Sequence, residues 1–290
     1  MAHQTYAALS VTDNIAHFIV LKKVDAKIEA LFMDEFYRDE LDKSDLWFLK
    51  FFVNKSDSIP GKPKNISIVL DRKILFIHTF PMDTGLTKEK ENEHMNWELS
   101  QHILGYHAKE YLSDTHVLRA TPDKQKKEIL SVSIKRSYVY EINDKVTAKN
   151  YSLDYIDATH FASGDLLFYN HPETKSQDVL LVALNNSYIE CSRYSSGKLT
   201  DYQSRIETEI DGIVQFIKYN FTKEKSERIF IYGAKATTET LVKLRTDISP
   251  HFTILNPFLR IDVNNIKNFN SFTSNLQNFI PTIGIALRNI

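Results

Sequence analysis

The sequence predicts an α/β protein made of two similar lobes. A strand, turn, strand, turn, strand run from Thr5 to about Phe36 recurs in outline from Asp178 to Arg205. The first turn of each run is rich in Asp and Asn, at Thr12-Asp13-Asn14 and at Asn185-Asn186, and the spacing between turns is nearly kept. Asp and Asn tolerate the backbone angles of tight hairpins. We therefore expect two related halves that face each other across a cleft.

Length and composition fit a molecule of this kind. A chain of 290 residues can bury roughly three quarters of the surface that its unfolded form exposes, which is enough for two ordinary lobes. The hydrophobic content of 42% and the charged content of 25% are those of a globular protein. Since the net charge is only -1, a phosphate-binding surface for nucleic acid is not expected.

Cysteine content and hydropathy indicate the cellular compartment in which the protein works. The single cysteine, Cys191, can form no internal disulfide, which fits the reducing cytoplasm. No apolar run approaches the roughly 18 residues that span a bilayer, and polar residues interrupt the one candidate stretch near the N-terminus. We expect a cytoplasmic protein without a transmembrane segment. Attachment to a peripheral membrane complex stays open.

Hydrophobic periodicity assigns the elements of the first half. Apolar and alternating runs predict strands at Tyr6 to Val11, Ile15 to Leu21, Ile28 to Phe36, Ile66 to Leu70, Ile74 to Phe80, Thr115 to Ala120, Glu128 to Ile134 and Ser152 to Asp157. Helical spacing predicts helices at Lys43 to Val53, Lys88 to Leu104, Arg136 to Ala148 and Thr159 to Tyr169. The first helix is expected to start at a Ser44 cap and to pack on the sheet, with an exposed partner-binding stripe as the alternative. Its apolar positions are Leu46, Trp47, Leu49 and Phe52.

The second half repeats the same kinds of element. Strands are predicted at Val179 to Leu184, Tyr188 to Tyr194, Lys198 to Ser204, Arg228 to Tyr232 and Phe252 to Leu255. Helices are predicted at Ile206 to Phe221, Thr237 to Ile248 and in the tail beyond Ser274. Glu207, Glu209 and Asp211 resemble a paired-carboxylate site. Acids in a first helical turn complement the positive end of the helix dipole, and we prefer that interpretation.

Few residues carry a recognisable catalytic or metal-binding pattern. His94, His102, His107 and His116 lie eight, five and nine residues apart, whereas helical histidines that share a metal are usually three or four apart, so no metal is expected. The chain has no Gly-x-Ser-x-Gly elbow, no Gly-x-x-x-x-Gly-Lys loop and no Gly-x-Gly-x-x-Gly turn. The sequence alone therefore predicts no catalytic residue.

Several segments, taken in chain order, resemble the PilM and FtsA group of actin-like proteins. Phe80-Pro81 with the acidic helix after it looks like the start of that group's inserted subdomain, and Ile229 to Ala234 sits at its adenosine motif. Leu255 to Phe258 and Ile280 to Arg288 resemble its closing segments, and the two hairpins sit at its phosphate turns. A small bacterial family of unknown function with this fold looks closer still in length.

The resemblance implies a fold and a division of the chain. The fold is a two-lobed actin-like ATPase fold, a duplicated ribonuclease H-like architecture with a small inserted subdomain and a reduced insertion in the second lobe. The first lobe would span residues 1–157, with the inserted subdomain at about 71–150, and the second lobe would span 158–275. Residues 276–290 would form a C-terminal helix that returns to the first lobe.

The resemblance also implies the position of a nucleotide site. The phosphate turns of this chain lack the glycines that such a site has in the family. The phosphate turns would be Thr12, Asp13 and Asn14 in the first lobe and Asn185 and Asn186 in the second. The adenosine motif would be Gly233, Ala234 and Lys235. Relatives place a Gly in each phosphate turn so that backbone N–H groups approach the phosphates, and here a side chain occupies each approach. No cofactor is expected, and ATP with magnesium is kept as the alternative.

Two functions follow from these observations. The first is a bacterial pseudo-ATPase that acts as a cytoplasmic scaffold and binds a protein partner, with an extended peptide in a groove beside the inserted subdomain, roughly Leu70 to Asp157. The second is an ATP-binding actin-like protein with slow or regulatory turnover. An enzyme of unrelated chemistry that uses the cleft remains a third class.

Overall fold

The described part of the chain forms three β-sheets. The structure, a computed structural model, describes residues 4–121, 125–221, 226–272 and 276–290. The predicted boundary at residue 275, between the second lobe and the C-terminal helix, lies outside these ranges. The strands are β1 Thr5–Thr12, β2 Ile15–Val24, β3 Lys27–Tyr37, β4 Asn65–Leu70, β5 Phe76–Asp83, β6 Tyr111–Ala120, β7 Lys126–Lys135, β8 Ser152–Ala158, β9 Asp178–Leu184, β10 Tyr188–Ser195, β11 Lys198–Ile206, β12 Arg228–Tyr232, β13 Phe252–Ile254 and β14 Ile261–Asp262.

Helices cover the faces of these sheets. They are α1 Phe48–Lys55, α2 Lys88–His102, α3 Arg136–Thr147, α4 Thr159–Asn170, α5 Ile210–Phe221, α6 Thr238–Asp247 and α7 Ile280–Leu287. Within the described ranges, none of them has the length and apolar content that crossing a membrane requires.

The first two sheets share one topology. In the first sheet the order is β14-β3-β2-β1-β4-β8, and in the second it is β11-β10-β9-β12-β13. In both, three antiparallel strands joined by hairpins are followed by two parallel strands, since β1 pairs parallel with β4 and β9 pairs parallel with β12. This is the duplication that the two hairpin runs predicted.

A third, smaller sheet lies in the chain between β4 and β8. Its order is β5-β7-β6, and all its pairings are antiparallel. Helix α2 follows β5, and Phe80, Met82 and Ile129 form a small core of their own, with Leu86 and Met95 packed against it. Because β6 and β8 each have one partner strand within the described residues, both are edge strands.

Helices α4 and α7 lie between the two large sheets. One hydrophobic cluster joins residues of both sheets through these helices, including Ile19, Leu166, Leu181 and Ile283. The helices cross closely, because a Cβ added at Gly284 would stand 1.9 Å from the Ala162 carbonyl oxygen. A glycine is therefore required where α7 passes α4.

The helix predicted at Lys43 starts later in the structure. Helix α1 begins at Phe48, and the Ser44 hydroxyl accepts a hydrogen bond from Leu46 N in the turn before it rather than capping it. Its apolar residues are buried against the first sheet, so the exposed partner-binding stripe is wrong.

The start of α5 and one strand also differ from prediction. Strand β11 continues to Ile206 and α5 begins at Ile210, since the chain stays extended until Glu207 accepts bonds from the Thr208 and Glu209 amides. The sequence did not predict β14, which pairs parallel with β3 over two residues.

Candidate functional site

The first turns of the two lobes are bonded directly to each other. The Asp13 carboxylate, between β1 and β2, accepts hydrogen bonds from the Ser187 hydroxyl at 3.0 Å and from the Asn186 amide at 3.3 Å. Both donors belong to the turn between β9 and β10. Lys73 Nζ completes the group with an ion pair to Asp13 at 2.6 Å. The cleft is thus closed at this point by side-chain contacts between the lobes.

The backbone of each turn explains how these groups meet. Asp13 has φ 54, a left-handed conformation that Asp tolerates better than most residues, and it forms the tight hairpin of β1 and β2. The Asp13 amide donates to Asp71 Oδ2 at 2.6 Å. Asp71 directly follows β4, which is parallel to β1, so both residues lie at the same edge of the sheet. Parallel pairing therefore brings them together although 58 residues separate them.

Asp71 is the buried centre of this arrangement. Burial raises the pKa of its carboxyl, partly offset by the hydrogen bonds from the Asp13 and Lys73 amides. The Tyr188 hydroxyl donates to Asp71 Oδ2 at 3.1 Å, and burial together with the Asp71 charge raises the Tyr188 pKa well above its ordinary value. Tyr188 therefore stays a donor at neutral pH. Its ring also packs against the Arg72 guanidinium at 5.6 Å.

The predicted adenosine motif lies against the second turn. Gly233 has φ 98, and a Cβ there would stand 2.7 Å from the Leu184 carbonyl oxygen and 3.0 Å from Asn185 Oδ1. The Lys235 amide donates to the Leu184 carbonyl at 2.9 Å, and Lys235 Nζ donates to the Thr208 carbonyl at 2.6 Å. Ala234 between them is exposed. Contacts within the second lobe therefore fix the position of the predicted adenosine motif.

The predicted phosphate turns do not fit a triphosphate while they are joined in this way. Phosphate binding in such turns depends on bare backbone N–H groups that face the ligand. Here the Asn186 amide is already bonded to Asp13, and the Asp13 amide is bonded to Asp71. Thr12 ends β1 in register with Ile15, and the carbonyl of exposed Asn14 accepts from the Arg38 amide at 2.8 Å.

Sequence reasoning placed Asp13 and Asn186 at the cleft and missed three of their partners. Asp71, Lys73 and Ser187 complete the group, and none of them stood out by motif. A signal for Asp71 was present, since it follows the apolar run Ile68 to Leu70 at the carboxyl end of β4, where polar residues of parallel sheets converge.

A second concave site lies beside the small sheet. A cavity of about 920 Å³ is bordered by β6 and β8, the edge strands of the small sheet and the first large sheet. Apolar side chains line it, among them Leu112, Val132, Ile156, Phe161 and Leu199. Its walls come from the first lobe, the small sheet, helix α4 and the β10–β11 turn of the second lobe.

The charges around this cavity are mostly negative. Asp114, Asp154, Asp157 and Asp165 line it, against one lysine and one arginine. Arg288 is already paired, at 2.5 Å with Asp157 and at 2.6 Å with Asp165. Asp114 and Tyr155 are exposed along its border. The site therefore favours an apolar ligand that carries positive charge.

Comparison with known proteins identifies the fold. No family model and no curated protein matches the sequence. Solved structures do match, among them a Bacteroides thetaiotaomicron protein with actin-like ATPase fold and unknown function, at TM-score 0.58 and 14% identity over 88% of this chain and 91% of that one. The chain has the actin-like ATPase fold. A structure of the PilM-PilN type IV pilus biogenesis complex matches with TM-score 0.75 and 9% identity over 98% of each chain.

A third solved structure matches over a similar extent. The cytoplasmic domain of EpsL, an inner membrane component of the type II secretion system of Vibrio cholerae, matches with TM-score 0.52 and 9% identity, over 97% of this chain and 94% of that chain. At these identities the likeness concerns the fold. The predicted resemblance to PilM-type actin-like proteins is confirmed at that level.

Proposed function

We propose that this actin-like protein is a non-catalytic scaffold that binds an extended segment of a partner protein in the cavity between β6 and β8. The observation that carries the proposal is the pair of edge strands, each with one partner strand within the described residues, that border one apolar cavity. A free edge offers a row of backbone N–H and C=O groups, and an extended peptide that pairs with it gains main-chain hydrogen bonds. Pockets for alternate side chains then give specificity.

The lining defines the chemistry of the segment. Apolar walls favour aliphatic or aromatic side chains at alternate positions of an extended peptide. The excess of aspartates over basic residues favours a peptide with one or more Lys or Arg residues, because charge complementarity raises association rates and suppresses acidic competitors. We therefore infer an apolar, basic peptide as the ligand.

The place in the cell is part of the same proposal. The related structures include a PilM-PilN pilus biogenesis complex and a cytoplasmic domain from a type II secretion system, which supports a role in assembling a pilus or secretion machine. A cytoplasmic site of action is supported by the buried free thiol of Cys191.

Loss of nucleotide chemistry is the second part of the proposal. The Asp13 contacts with Asn186 and Ser187 take up the donors and the space that phosphates would need. One observation favours the alternative of slow ATP binding, namely that Gly233 keeps the positive φ of a close backbone approach. Titration calorimetry with ATP and magnesium separates the two, since we expect no binding, and micromolar affinity with turnover would refute the silent site.

The peptide site is tested with a phage-displayed library of random linear peptides. Peptides selected on the wild-type protein should share alternating apolar positions and basic residues. Their affinity should fall by at least about tenfold for Thr115→Trp, which fills the cavity, and for Asp114→Arg, which reverses its charge. Both residues are exposed, so the fold should be kept.

The matched control is Glu110→Arg, an exposed charge reversal just before β6 and outside the cavity lining. Selected peptides should bind this variant as they bind the wild type. The peptide site is wrong if no peptide is enriched, or if the enriched peptides bind Thr115→Trp unchanged. Either result concerns the peptide site alone and does not affect the interpretation of the ATP titration.

A further inference from the structure

Three ligand-type side chains converge on the outer face of the small sheet. His78 Nε2 lies 3.9 Å from Glu98 Oε2, and His102 Nε2 lies 4.0 Å from the same oxygen. The ligand atoms of the three residues are all within 4.8 Å of one another. This cluster lies on the inserted sheet and helix, apart from the contacts that join the Asp13 and Asn186 turns.

Two secondary-structure elements position the cluster. Glu98 and His102 lie four residues apart on α2, so both face the same side of the helix. His78 lies on β5 between Phe76 and Phe80, and alternation along a strand points these three side chains to one face. The rings of His78 and His102 lie 4.1 Å apart, centre to centre. Packing of α2 over β5 thus brings together residues that are distant in sequence.

The earlier exclusion of a metal rested on spacing along the chain. It compared His94, His102, His107 and His116 with one another and did not include His78, whose partner residues lie on another element. Only the folded sheet and helix show that His78 meets Glu98 and His102.

The donor set has the chemistry of a transition-metal site. Two imidazole nitrogens and one carboxylate are ligands that Zn²⁺ takes in proteins, with a fourth position left for water. At zinc–ligand distances of about 2.0 to 2.1 Å, neighbouring ligands of a tetrahedral site stand about 3.4 Å apart. The two histidine–carboxylate pairs in this structure are 3.9 and 4.0 Å apart, and all three ligand atoms lie within 4.8 Å of one another, so side-chain rotations would have to draw them together to close the site. We propose that His78, Glu98 and His102 bind a divalent transition-metal ion, with Zn²⁺ as the preferred class.

A supporting residue and an entry path accompany the three ligands. His94 Nε2 is hydrogen-bonded to the Pro81 carbonyl oxygen at 3.2 Å and lies 3.6 Å from Glu98 Oε1, so the His94 ring stands beside the carboxylate. His102 is 45% exposed, which opens the cluster to solvent, while Glu98 is mostly buried at 14%. A bound ion would tie α2 to β5 and stiffen the small sheet, whichever partner the neighbouring cavity takes.

The test measures zinc and cobalt binding to the full-length protein after chelator treatment and dialysis. Isothermal titration should give one equivalent of Zn²⁺, and Co²⁺ should give visible d–d absorption without a thiolate band, since Cys191 is buried far along the chain in β10. His102→Ala and Glu98→Gln should each lower the zinc affinity by at least about tenfold, and His94→Ala by a similar or smaller factor.

The matched control is His107→Ala, an exposed histidine that follows α2 and is not in the cluster. It should bind zinc as the wild type does, and circular dichroism should show that all variants keep their secondary structure. Binding that is weaker than about 100 μM for the wild type overturns the proposal. So does one-equivalent binding that His102→Ala and Glu98→Gln leave unchanged, because the ion then sits elsewhere. In both cases the cluster is a histidine–carboxylate ion-pair network.

Discussion

The Asp13 carboxylate of the first lobe accepts a hydrogen bond from the Ser187 hydroxyl of the second lobe at 3.0 Å. Their turns are the two that the family resemblance assigns as phosphate turns. The Asn186 amide also donates to Asp13, at 3.3 Å, so the contact joins both turns. The proposal of a silent nucleotide site and the contact between the lobes therefore rest on the same residues.

Asp13→Asn should destabilise the closed arrangement. The amide loses the ion pair with Lys73 and weakens two charge-assisted acceptor bonds, while Asn keeps the tolerance for positive φ at this turn. We expect a loss of about 1 to 2 kcal/mol in the free energy of unfolding, measured by urea denaturation. X-ray scattering should also show a larger radius of gyration if the lobes separate.

Asp25→Asn is the control for this change. Asp25 also has positive φ, at 53, and sits on the exposed hairpin turn between β2 and β3. Its replacement should change stability by less than about 0.5 kcal/mol. Equal losses for the two variants would mean that turn conformation, rather than the contact between lobes, sets the stability.

Local sequence patterns predicted most elements of the fold. β12 was predicted with the bounds that the structure shows, because four of its five residues, Ile229 to Tyr232, form a short continuous apolar run. The patterns failed where an element forms only because of its contacts with segments that are distant in sequence. β14 has only two residues and no period, and it exists because it pairs with β3. The start of α5 was misplaced because acids at Glu207 and Glu209 look like a first helical turn although β11 still runs to Ile206.

The candidate sites were harder to predict than the fold. Turn chemistry and the family resemblance named Asp13 and Asn186, because both features are local. Asp71 reaches Asp13 only through the parallel pairing of β1 and β4, and His78 reaches His102 only through packing of α2 on β5. Contacts of this kind depend on the register and packing of distant segments, which a single sequence does not encode in any short window.

Gly284→Ala should disrupt the crossing of α4 and α7. The added Cβ would stand 1.9 Å from the Ala162 carbonyl oxygen, so the backbone of one helix must move within a buried core. We expect a loss of about 2 kcal/mol or more, from overpacking, in thermal or urea unfolding.

Gly212→Ala is the matched helical control. The nearest atoms to its Cβ would be those of the Glu207 carboxylate, a side-chain end that can move if it gives up its bonds to the Thr208 and Glu209 amides, and alanine is the better helix former. Its effect should stay within about 1 kcal/mol of the wild type. A Gly284→Ala variant as stable as Gly212→Ala would contradict the close crossing.

Glu190→Gln should change how stability depends on pH. Burial raises the pKa of Glu190 to about 7, although the Tyr202 hydroxyl donates to its carboxylate at 2.6 Å and Arg72 lowers the pKa. The folded state therefore holds a proton that the unfolded chain releases near 4.5, and this group costs stability as pH rises from 4.5 to 7. Glutamine does not titrate, so the variant should gain about 3 kcal/mol relative to the wild type over that window. Parallel stability curves for the two proteins would show that Glu190 is ionised in the fold.

His17→Leu should change the pH dependence of stability in the opposite direction, with its gain in stability growing as pH falls. Burial lowers the pKa of His17 to about 3, and neither ring nitrogen has a hydrogen-bond partner within the described residues, although Glu35 Oε2 lies 3.9 Å away. The ring packs edge-on against Phe279, 4.8 Å between centres. The unfolded chain takes up a proton below 6.5 that the folded state refuses, so the wild type loses stability as pH falls from 6.5 towards 3.

Leucine removes both the titration and the unpaired nitrogens, so the variant should be at least as stable as the wild type at neutral pH. At pH 5 its advantage should grow by about 2 kcal/mol, since 1.5 pH units of proton linkage at about 1.4 kcal/mol each are removed. Urea denaturation at pH 5, 6 and 7.5 measures this difference. An advantage that does not grow below pH 6.5 would mean that His17 is protonated in the folded state, held by Glu35, and that the two form a buried ion pair behind β2.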